Sequence, residues 1–355
     1  MDRYRIDSHK LLYHVPRVND WLNGRIIYPI YMEISPSGGC NHRCTFCALD
    51  FMGYQKKFLD AGALMERLTE MGNLGLKSIM YGGEGEPLMH EKIAEIINHT
   101  KKSEIDVALT TNATLLEEPI SEKILGDMTW IKVSIGAATR DTYAKIHRTK
   151  PEDFDKVIKN LSSAAKIKRN NKYKCTLGMQ ILLLPENKNE IVHLAEIARD
   201  IGMDYLVVKP YSQHPLSKTQ KYKDIKYNEY AALYDELVKL NTKDFDIIFR
   251  INTMKKWDEG IKNYNRCLAL PFWSYLDSGG NVWGCSVYLG DDRFLYGNIY
   301  EKSFKEIWEG EKRMQSLKWV GRDLDANQCR TNCRMDEINR YLWDLKNPPE
   351  HVNFI

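Results

Sequence analysis

The chain has 355 residues, of which 43% are hydrophobic and 28% are charged, an ordinary globular composition that fits one large domain with a smaller one. Its 51 basic and 48 acidic residues leave a formal charge of +3, which is too balanced to favour nucleic acid or an anionic membrane as a partner. The charged N-terminus lacks the apolar core of a signal peptide, and no apolar run approaches the roughly 18–20 residues that cross a bilayer. We therefore expect a cytoplasmic protein without a nucleic-acid or membrane partner.

Short apolar runs alternate with amphipathic stretches between residues 29 and 211, after a charged lead-in at 1–28. This alternation predicts βαβ units and a parallel sheet whose functional residues lie at the carboxyl ends of the strands. Six units are too few to close an eight-stranded barrel, so we predict an α/β fold of the partial (β/α)6 barrel type. The predicted strands are 29–35, 77–83, 106–112, 130–136, 175–184 and 205–211, and the clearest helical patterns are 59–75, 91–102, 153–170 and 189–202.

The rest of the chain has a different pattern. Residues 212–261 are polar and mixed, and we interpret them as a helical linker. The segment 274–287 has two β-like arms around a Gly-Gly turn, which is typical of a hairpin, and 303–320 has the pattern of one amphipathic helix. We therefore predict a small domain over 262–345, followed by a tail at 346–355.

The eight cysteines fall into three groups. In a reducing compartment, thiols at short spacings are more often metal ligands than disulfides. The grouping therefore predicts two metal sites and one isolated thiol. The groups are an N-terminal trio (Cys40, Cys44 and Cys47), a C-terminal quartet (Cys267, Cys285, Cys329 and Cys333) and the single Cys175.

The trio follows the first predicted strand with the spacing CxxxCxxC. A closed [4Fe–4S] cluster needs four thiolates, so three of them leave one iron open to a small molecule. The alternative is a zinc site that His42 or a more distant histidine completes. Further candidate groups for ligand contact are the "GGEGEP" turn at 82–87, the strand-end residues Thr111, Asn112 and Ser134, and the ring of Phe46.

With these features, the span from about residue 29 to 211 resembles the radical S-adenosylmethionine (SAM) enzymes. The three cysteines match the family's signature, with Phe46 in its usual aromatic position. The Gly-Glu turn resembles the segment that contacts the SAM amine, and 133–148 resembles the segment that contacts the ribose or carboxylate. This chain has Gly136 where the family usually carries Asp. The SAM contacts that the resemblance implies are Phe46, Gly82, Gly83, Glu84, Asn112, Ser134 and Arg148.

The resemblance implies a [4Fe–4S] cluster whose open iron binds the amino and carboxylate groups of SAM. One electron, delivered by an external donor such as flavodoxin or ferredoxin, then splits SAM and produces a 5′-deoxyadenosyl radical. That radical removes a hydrogen atom from an unactivated carbon of a small-molecule substrate, while the barrel wall excludes solvent.

The quartet has the spacing C-x17-C-x43-C-x3-C, with two cysteines around the predicted hairpin and two on a tight turn. A structural zinc held by four thiolates is the alternative that the spacing leaves open. The segment 262–345 resembles the auxiliary-cluster (SPASM or twitch) domain of radical SAM enzymes, which implies one auxiliary [4Fe–4S] cluster. Because four ligands close such a cluster, the resemblance implies an electron relay and not a substrate site.

Three residues are candidates for catalysis: Cys175, Lys209 and Tyr211. Cys175 is either a small buried apolar residue or a hydrogen-atom donor to a substrate radical, although its position places it at the opposite end of the barrel. Lys209, Tyr211 and His214 follow the sixth predicted strand, where they either contact the substrate or belong to a solvated loop.

We thus expect a radical SAM enzyme that dehydrogenates or epimerises a small hydroxylated substrate, such as a sugar, nucleotide sugar or aminocyclitol. One alternative is a maturase of a ribosomally made peptide, although the short lead-in shows no strand for capturing a leader peptide. Another is a zinc-binding interaction protein.

Overall fold

The computed structural model describes residues 3–354; residues 1, 2 and 355, at the ends of the predicted lead-in and tail, lie outside it. Its strands are β1 (Tyr31–Ile34), β2 (Ser78–Tyr81), β3 (Asp106–Thr111), β4 (Met128–Ser134), β5 (Thr176–Leu182), β6 (Tyr205–Lys209), β7 (Asp246–Phe249), β8 (Trp273–Leu276), β9 (Asn281–Trp283) and β10 (Leu295–Asn298). They form one open sheet in the order β10-β9-β8-β1-β2-β3-β4-β5-β6-β7. Strands β8 and β1 to β7 run parallel, whereas β9 and β10 are antiparallel to their neighbours.

Helices connect the parallel strands. They are α1 (Val15–Leu22), α2 (Ala61–Asn73), α3 (Ile93–Lys102), α4 (Glu118–Ile124), α5 (Arg140–His147), α6 (Glu152–Asn171), α7 (Ile191–Ile201), α8 (Ala231–Leu237), α9 (Ile251–Glu259), α10 (Phe304–Glu309), α11 (Glu311–Arg322) and α12 (Asp336–Lys346). Among residues 3–354, no helix combines the length and the apolar character that crossing a membrane requires.

The two faces of the sheet have different side chains, as the strand period of two requires. In β4, Ile131 and Val133 are fully buried in the large core between sheet and helices. Lys132 and Ser134 alternate with them and remain partly exposed on the other face. The inner face of the curved sheet therefore presents polar groups to an interior space, while the outer face holds the core.

The predicted fold class is confirmed: the sheet is mostly parallel, alternates with helices and does not close. The six predicted strands correspond to β1 to β6. The segment 246–249, predicted to be part of a helical linker, forms β7 instead, because its run "DIIF" buries Ile247, Ile248 and Phe249 beside β6. The single helix predicted over 303–320 is two helices, since Gly310 has extended backbone angles between them.

The C-terminal segment continues the sheet directly. The predicted hairpin forms from β8 and β9, and β8 pairs with β1 in parallel. The N-terminal lead-in packs on the same side, where Leu11 and Val18 share an apolar cluster with Phe272 and Leu342. The carboxyl end of β1 therefore lies next to the C-terminal hairpin, which brings the two cysteine groups into one region of the molecule.

Candidate active site

The cysteine trio lies on the loop that leaves β1, and a close contact with the next strand's loop holds it in place. The Glu86 backbone N–H donates to the carbonyl oxygen of Gly39 at 2.8 Å. A Cβ on Gly85 would lie 2.0 Å from that same oxygen, so only glycine permits this approach. The GGEGEP turn therefore positions the cysteine loop as well as lining the site.

The trio opens onto a cavity of about 290 Å³ at the carboxyl ends of the parallel strands, which we call the inner cavity. Burial raises the pKa of Cys40 to about 11 and raises that of Cys44 as well. Three half-buried thiols on one loop have the donor chemistry that an iron–sulfur cluster uses, and a bound metal group supplies the charge that stabilises their thiolates. The predicted residues that also line the cavity are Phe46, Gly83, Glu84, Asn112, Ser134, Lys209 and Tyr211.

Three predicted residues do not line this cavity. Arg148 is exposed at the end of α5, where its φ of +49° turns the chain, and the preceding residue His147 lines the cavity instead. Cys175 is 1% exposed and belongs to the core on the outer face, at the amino end of β5. Gly82 ends β2 with a backbone bond to Ile34. The geometry therefore does not support a SAM contact from Arg148 or a hydrogen donor at Cys175.

The two glutamates of the GGEGEP turn have different partners. Glu84 accepts a hydrogen bond from the Ser278 hydroxyl at 2.7 Å, and its burial raises its pKa to about 7. Glu86 accepts hydrogen bonds from the Thr111 hydroxyl and the Asn112 backbone N–H, at 2.5 and 2.8 Å. Glu84 thus links the inner cavity to the C-terminal hairpin, whereas Glu86 fixes the end of β3.

His147 is a site residue that sequence reasoning missed. Its Nε2 accepts the Gly136 backbone N–H at 2.8 Å, so the neutral ring carries its proton on Nδ1. Nδ1 lies 3.1 Å from the Cys44 sulfur and donates to it. A Cβ at Gly136 would lie 2.8 Å from Nε2, which explains the absence of the family's usual Asp. The only sequence signal was its position beside Arg148.

A zinc site at the trio would have to use the nearby histidines. One ligand atom each from His42, Cys44 and His147 lies within 4.8 Å of the others. However, both nitrogens of His147 are already engaged, by the Gly136 N–H and the Cys44 sulfur. His147 is therefore better suited to support a cysteine ligand than to bind metal.

The four C-terminal cysteines converge, although they come from three separated segments. All four line a small enclosed pocket of about 40 Å³, which we call the C-terminal pocket. Burial, together with the neighbouring Cys329, raises the pKa of Cys267 to about 11. The Asn339 side-chain amide lies 3.6 Å from the Cys267 sulfur and donates to it. Four thiols that face one another with no disulfide among them fit a four-thiolate metal group.

Adjacent residues connect the two sites. Cys329 lines the C-terminal pocket, and the next residue, Arg330, lines the inner cavity. The Arg330 guanidinium donates to the hydroxyl and the carbonyl oxygen of Ser212, at 2.9 and 2.7 Å. One peptide unit therefore separates the walls of the two sites.

Two family models match the chain, "Radical SAM superfamily" over residues 34–198 and SPASM, "Iron-sulfur cluster-binding domain", over 267–334. A GTP 3′,8-cyclase of Chlorobaculum tepidum is 25% identical over 198 residues, which are 54% of this chain and 57% of that protein. The tungsten-containing aldehyde ferredoxin oxidoreductase cofactor-modifying protein of Pyrococcus furiosus is 23% identical over 305 residues, 80% of this chain and 81% of that protein. The chain thus spans less than two thirds of the first of these relatives.

Solved structures share the fold. SuiB of Streptococcus suis, bound to S-adenosylmethionine, has a TM-score of 0.63 and 18% identity, covering 84% of this chain and 70% of its own. The protein anSMEcpe with bound AdoMet has a TM-score of 0.58 and 18% identity, covering 88% of both chains.

These matches indicate the groups that the two domains bind. The first domain implies SAM and a SAM-binding [4Fe–4S] cluster, for which Cys40, Cys44 and Cys47 are the available ligands. The second implies auxiliary iron–sulfur binding, for which the C-terminal pocket offers four thiols. Iron–sulfur clusters therefore replace the zinc alternatives at both sites. Residues 34–198 therefore form a radical SAM domain, and residues 267–334 form a SPASM domain at the C-terminal end.

Proposed function

We propose that this enzyme removes hydrogen from a carbon of a small hydroxylated substrate, such as a sugar, a nucleotide sugar or an aminocyclitol, and oxidises it. When bound, SAM and the cluster of the trio supply a 5′-deoxyadenosyl radical. The single observation that carries the proposal is the pair of sites one peptide unit apart, the inner cavity and the closed C-terminal pocket.

The wall of the inner cavity supports a polar substrate. Thr110, Ser134 and Gln180 lie on neighbouring strands with their side chains toward the interior, and Lys209 and Tyr211 follow on β6 and its loop. Hydroxyl, amide and ammonium groups are the donors and acceptors that bind sugar hydroxyls. The same side chains stand beside the cysteine trio, where the hydrogen atom would be removed.

Electron balance favours dehydrogenation. A substrate carbon that loses a hydrogen atom, and then a proton and an electron, becomes a carbonyl; the electron needs an acceptor nearby. The C-terminal pocket is near enough to hold this electron acceptor, because Cys329 and Arg330 join the two sites. Epimerisation instead needs a hydrogen donor on the opposite face, and Cys175 does not line the inner cavity.

A peptide maturase is the second candidate, since SuiB, with a similar fold, was also crystallised bound to its precursor peptide SuiA. Within residues 3–30 of this chain, a short 3-10 turn and α1 are the regular elements, and no strand is available to pair with an added peptide strand. That observation favours a small substrate. We further infer a cytoplasmic location and reduction by flavodoxin or ferredoxin.

An isotope experiment tests the proposal. The anaerobically reconstituted enzyme, with dithionite and SAM, is incubated with ring-deuterated sugars, nucleotide sugars and aminocyclitols, or with deuterated peptides. We expect 5′-deoxyadenosine that contains substrate deuterium, together with a product that has lost two electrons. Formation of no 5′-deoxyadenosine overturns the radical chemistry, and deuterium transfer from peptides alone overturns the small substrate.

A further inference from the structure

The inner face of the barrel carries two lysines below the cysteine trio. Lys132 lies two residues before Ser134 on the same face of β4, so it is about 7 Å deeper in the barrel than the Ser134 that lines the inner cavity. Lys209 ends β6 and lines the cavity itself. Both side chains are half-buried.

Neither lysine has an acidic partner. Within the described residues, no carboxylate oxygen lies within 4.0 Å of either ammonium group. The two neighbouring arginines differ: Arg334 pairs with Glu33 at 2.9 Å, and Arg250 pairs with Asp7 at 3.3 Å. The cationic groups that face this interior without a described counter-ion are Lys132, Lys209 and Arg330.

The surroundings of the lysines increase the imbalance. Burial, with the positive charges of Arg334 and Arg250, lowers the pKa of Lys132 to about 7 against the opposing charge of Glu33. Burial also lowers the pKa of Lys209, and among its cationic neighbours the charge of Lys132 contributes most. A half-buried lysine without a carboxylate partner is costly to keep charged, so this arrangement favours an anionic guest.

We propose that the substrate carries an oxyanion, a phosphate or a carboxylate, which Lys132, Lys209 and Arg330 bind in the barrel interior. This inference rests on the proposed function and narrows its substrate class: cationic aminocyclitols are excluded, whereas nucleotide sugars, sugar phosphates and sugar acids fit. The anion lies deep in the barrel, and the carbon that loses hydrogen then points toward the cysteine trio.

Binding without turnover tests the inference. The reconstituted holoenzyme is saturated with SAM, so that the SAM carboxylate site is filled, and is titrated calorimetrically without reductant. The probes are UDP-glucose for the phosphate arm, glucuronate for the carboxylate arm and uncharged glucose. We expect one charged probe to bind, and Lys132→Met or Lys209→Met to weaken its binding about 10- to 100-fold, the range for a charge-assisted hydrogen bond.

Two matched variants separate charge from structure. Lys166→Met removes an exposed lysine of α6 and should leave binding unchanged, whereas Lys132→Arg keeps the charge and should retain most of it. Lys132→Met should also raise the melting temperature of the ligand-free holoenzyme, because it removes a half-buried cation that has no carboxylate partner. A lysine that only supports the fold would lower it.

The inference is overturned if neither charged probe binds, if glucose binds as tightly, or if the lysine variants bind the charged probe like the wild type. It is also overturned if those variants lose SAM affinity to the same extent, since the lysines would then serve SAM. Because 5′-deoxyadenosine formation is measured separately, failure of the radical chemistry remains distinguishable from failure of anion binding.

Discussion

The two cysteine sites of this molecule offer the same ligand atoms, thiol sulfurs, in very different surroundings. The N-terminal trio lies beside a cavity of about 290 Å³, whereas the C-terminal quartet surrounds about 40 Å³. Polar and charged side chains line the first, including Ser134, Gln180 and Lys209. Aromatic and aliphatic side chains line most of the second, including Trp273, Tyr288 and Phe294.

From this difference we infer that the number of thiols and the side chains around them give each site a different role. Three thiols leave room for a ligand at the metal, and polar walls then bind and orient what enters. Four thiols in an apolar pocket leave no such place, so we expect that site to pass electrons and not to bind substrate. Each prediction below tests one part of this division.

The largest expected effect comes from removing one cysteine at each site. Cys44→Ala should lower the iron content by about four atoms per chain and abolish SAM cleavage, since the remaining thiols cannot hold the cluster. Cys285→Ala should remove a similar amount of iron but leave dithionite-driven SAM cleavage intact while abolishing the oxidised product. Iron and sulfide counts and 5′-deoxyadenosine by chromatography measure both.

Cys175→Ala is the matched control, because that thiol is buried in the core on the outer face. It should retain both clusters and the product. If Cys175→Ala removes iron, or if Cys285→Ala also abolishes SAM cleavage, the assignment of separate roles to the two sites is wrong.

A smaller effect is expected at Gly85, which positions the trio. The added Cβ of Gly85→Ala would lie 2.0 Å from a backbone oxygen, which we expect to lower the free energy of unfolding by about 3 kcal/mol. The N-terminal cluster should be lost first. Gly321→Ala in α11, where a Cβ meets nothing within 4 Å, should be neutral or stabilising. Equal stability of the two variants in chemical unfolding would contradict this explanation.

Glu84 joins the inner cavity to the C-terminal hairpin through Ser278. Its titration should therefore make the free energy of unfolding depend on pH. Its pKa is raised by burial from 4.5 to about 7 in the folded protein. The folded state therefore binds this proton more tightly than the unfolded chain, and the contribution is fully present below pH 4.5 and is lost as the pH rises through 7. We expect a loss on the order of 2 kcal/mol across that window.

Urea unfolding of ligand-free protein at several pH values measures the slope of the free energy of unfolding against pH. Glu84→Gln, which is neutral at every pH and keeps an oxygen for Ser278, should remove it. The slope of the wild type should also diminish when SAM is present if the SAM amine lies beside this carboxylate. An unchanged slope in Glu84→Gln would mean that another group is responsible.

Most of the fold could be predicted from the sequence, because strand–helix alternation is a local pattern. The trio could also be predicted, because its three cysteines lie within eight residues and their loop follows a recognisable strand. It did not reveal β7, whose four residues are too short for a pattern, or the break at Gly310. Isolated short runs are decided by the neighbours that they pack against.

The missed site residues depend on contacts between distant segments. His147 was one position away from the predicted Arg148, and only the turn of α5 decides which of them faces the cavity. Ser278 contacts Glu84, and Arg330 enters the cavity, only because β8 pairs with β1. No spacing in the chain encodes that pairing.

The smallest expected effect concerns one side chain at each site that donates to a cysteine. His147 Nδ1 lies 3.1 Å from the Cys44 sulfur, whereas Asn339 Nδ2 lies 3.6 Å from the Cys267 sulfur. A donor to a thiolate favours the reduced cluster, which carries more negative charge, and a shorter bond favours it more.

His147→Phe keeps a ring against Tyr143, whose ring stacks on His147 at 4.2 Å, and removes the donor. We expect the midpoint potential of the N-terminal cluster to fall by a few tens of millivolts, roughly 1 kcal/mol for one electron. Asn339→Leu should lower the potential of the C-terminal cluster by less, because its donor is more distant. Redox titration followed by electron paramagnetic resonance measures the two midpoint potentials, each in the cysteine-to-alanine variant that retains only the cluster concerned. An equal fall in the two midpoint potentials would show that burial of the clusters, and not the hydrogen bond from His147, determines how the two potentials differ.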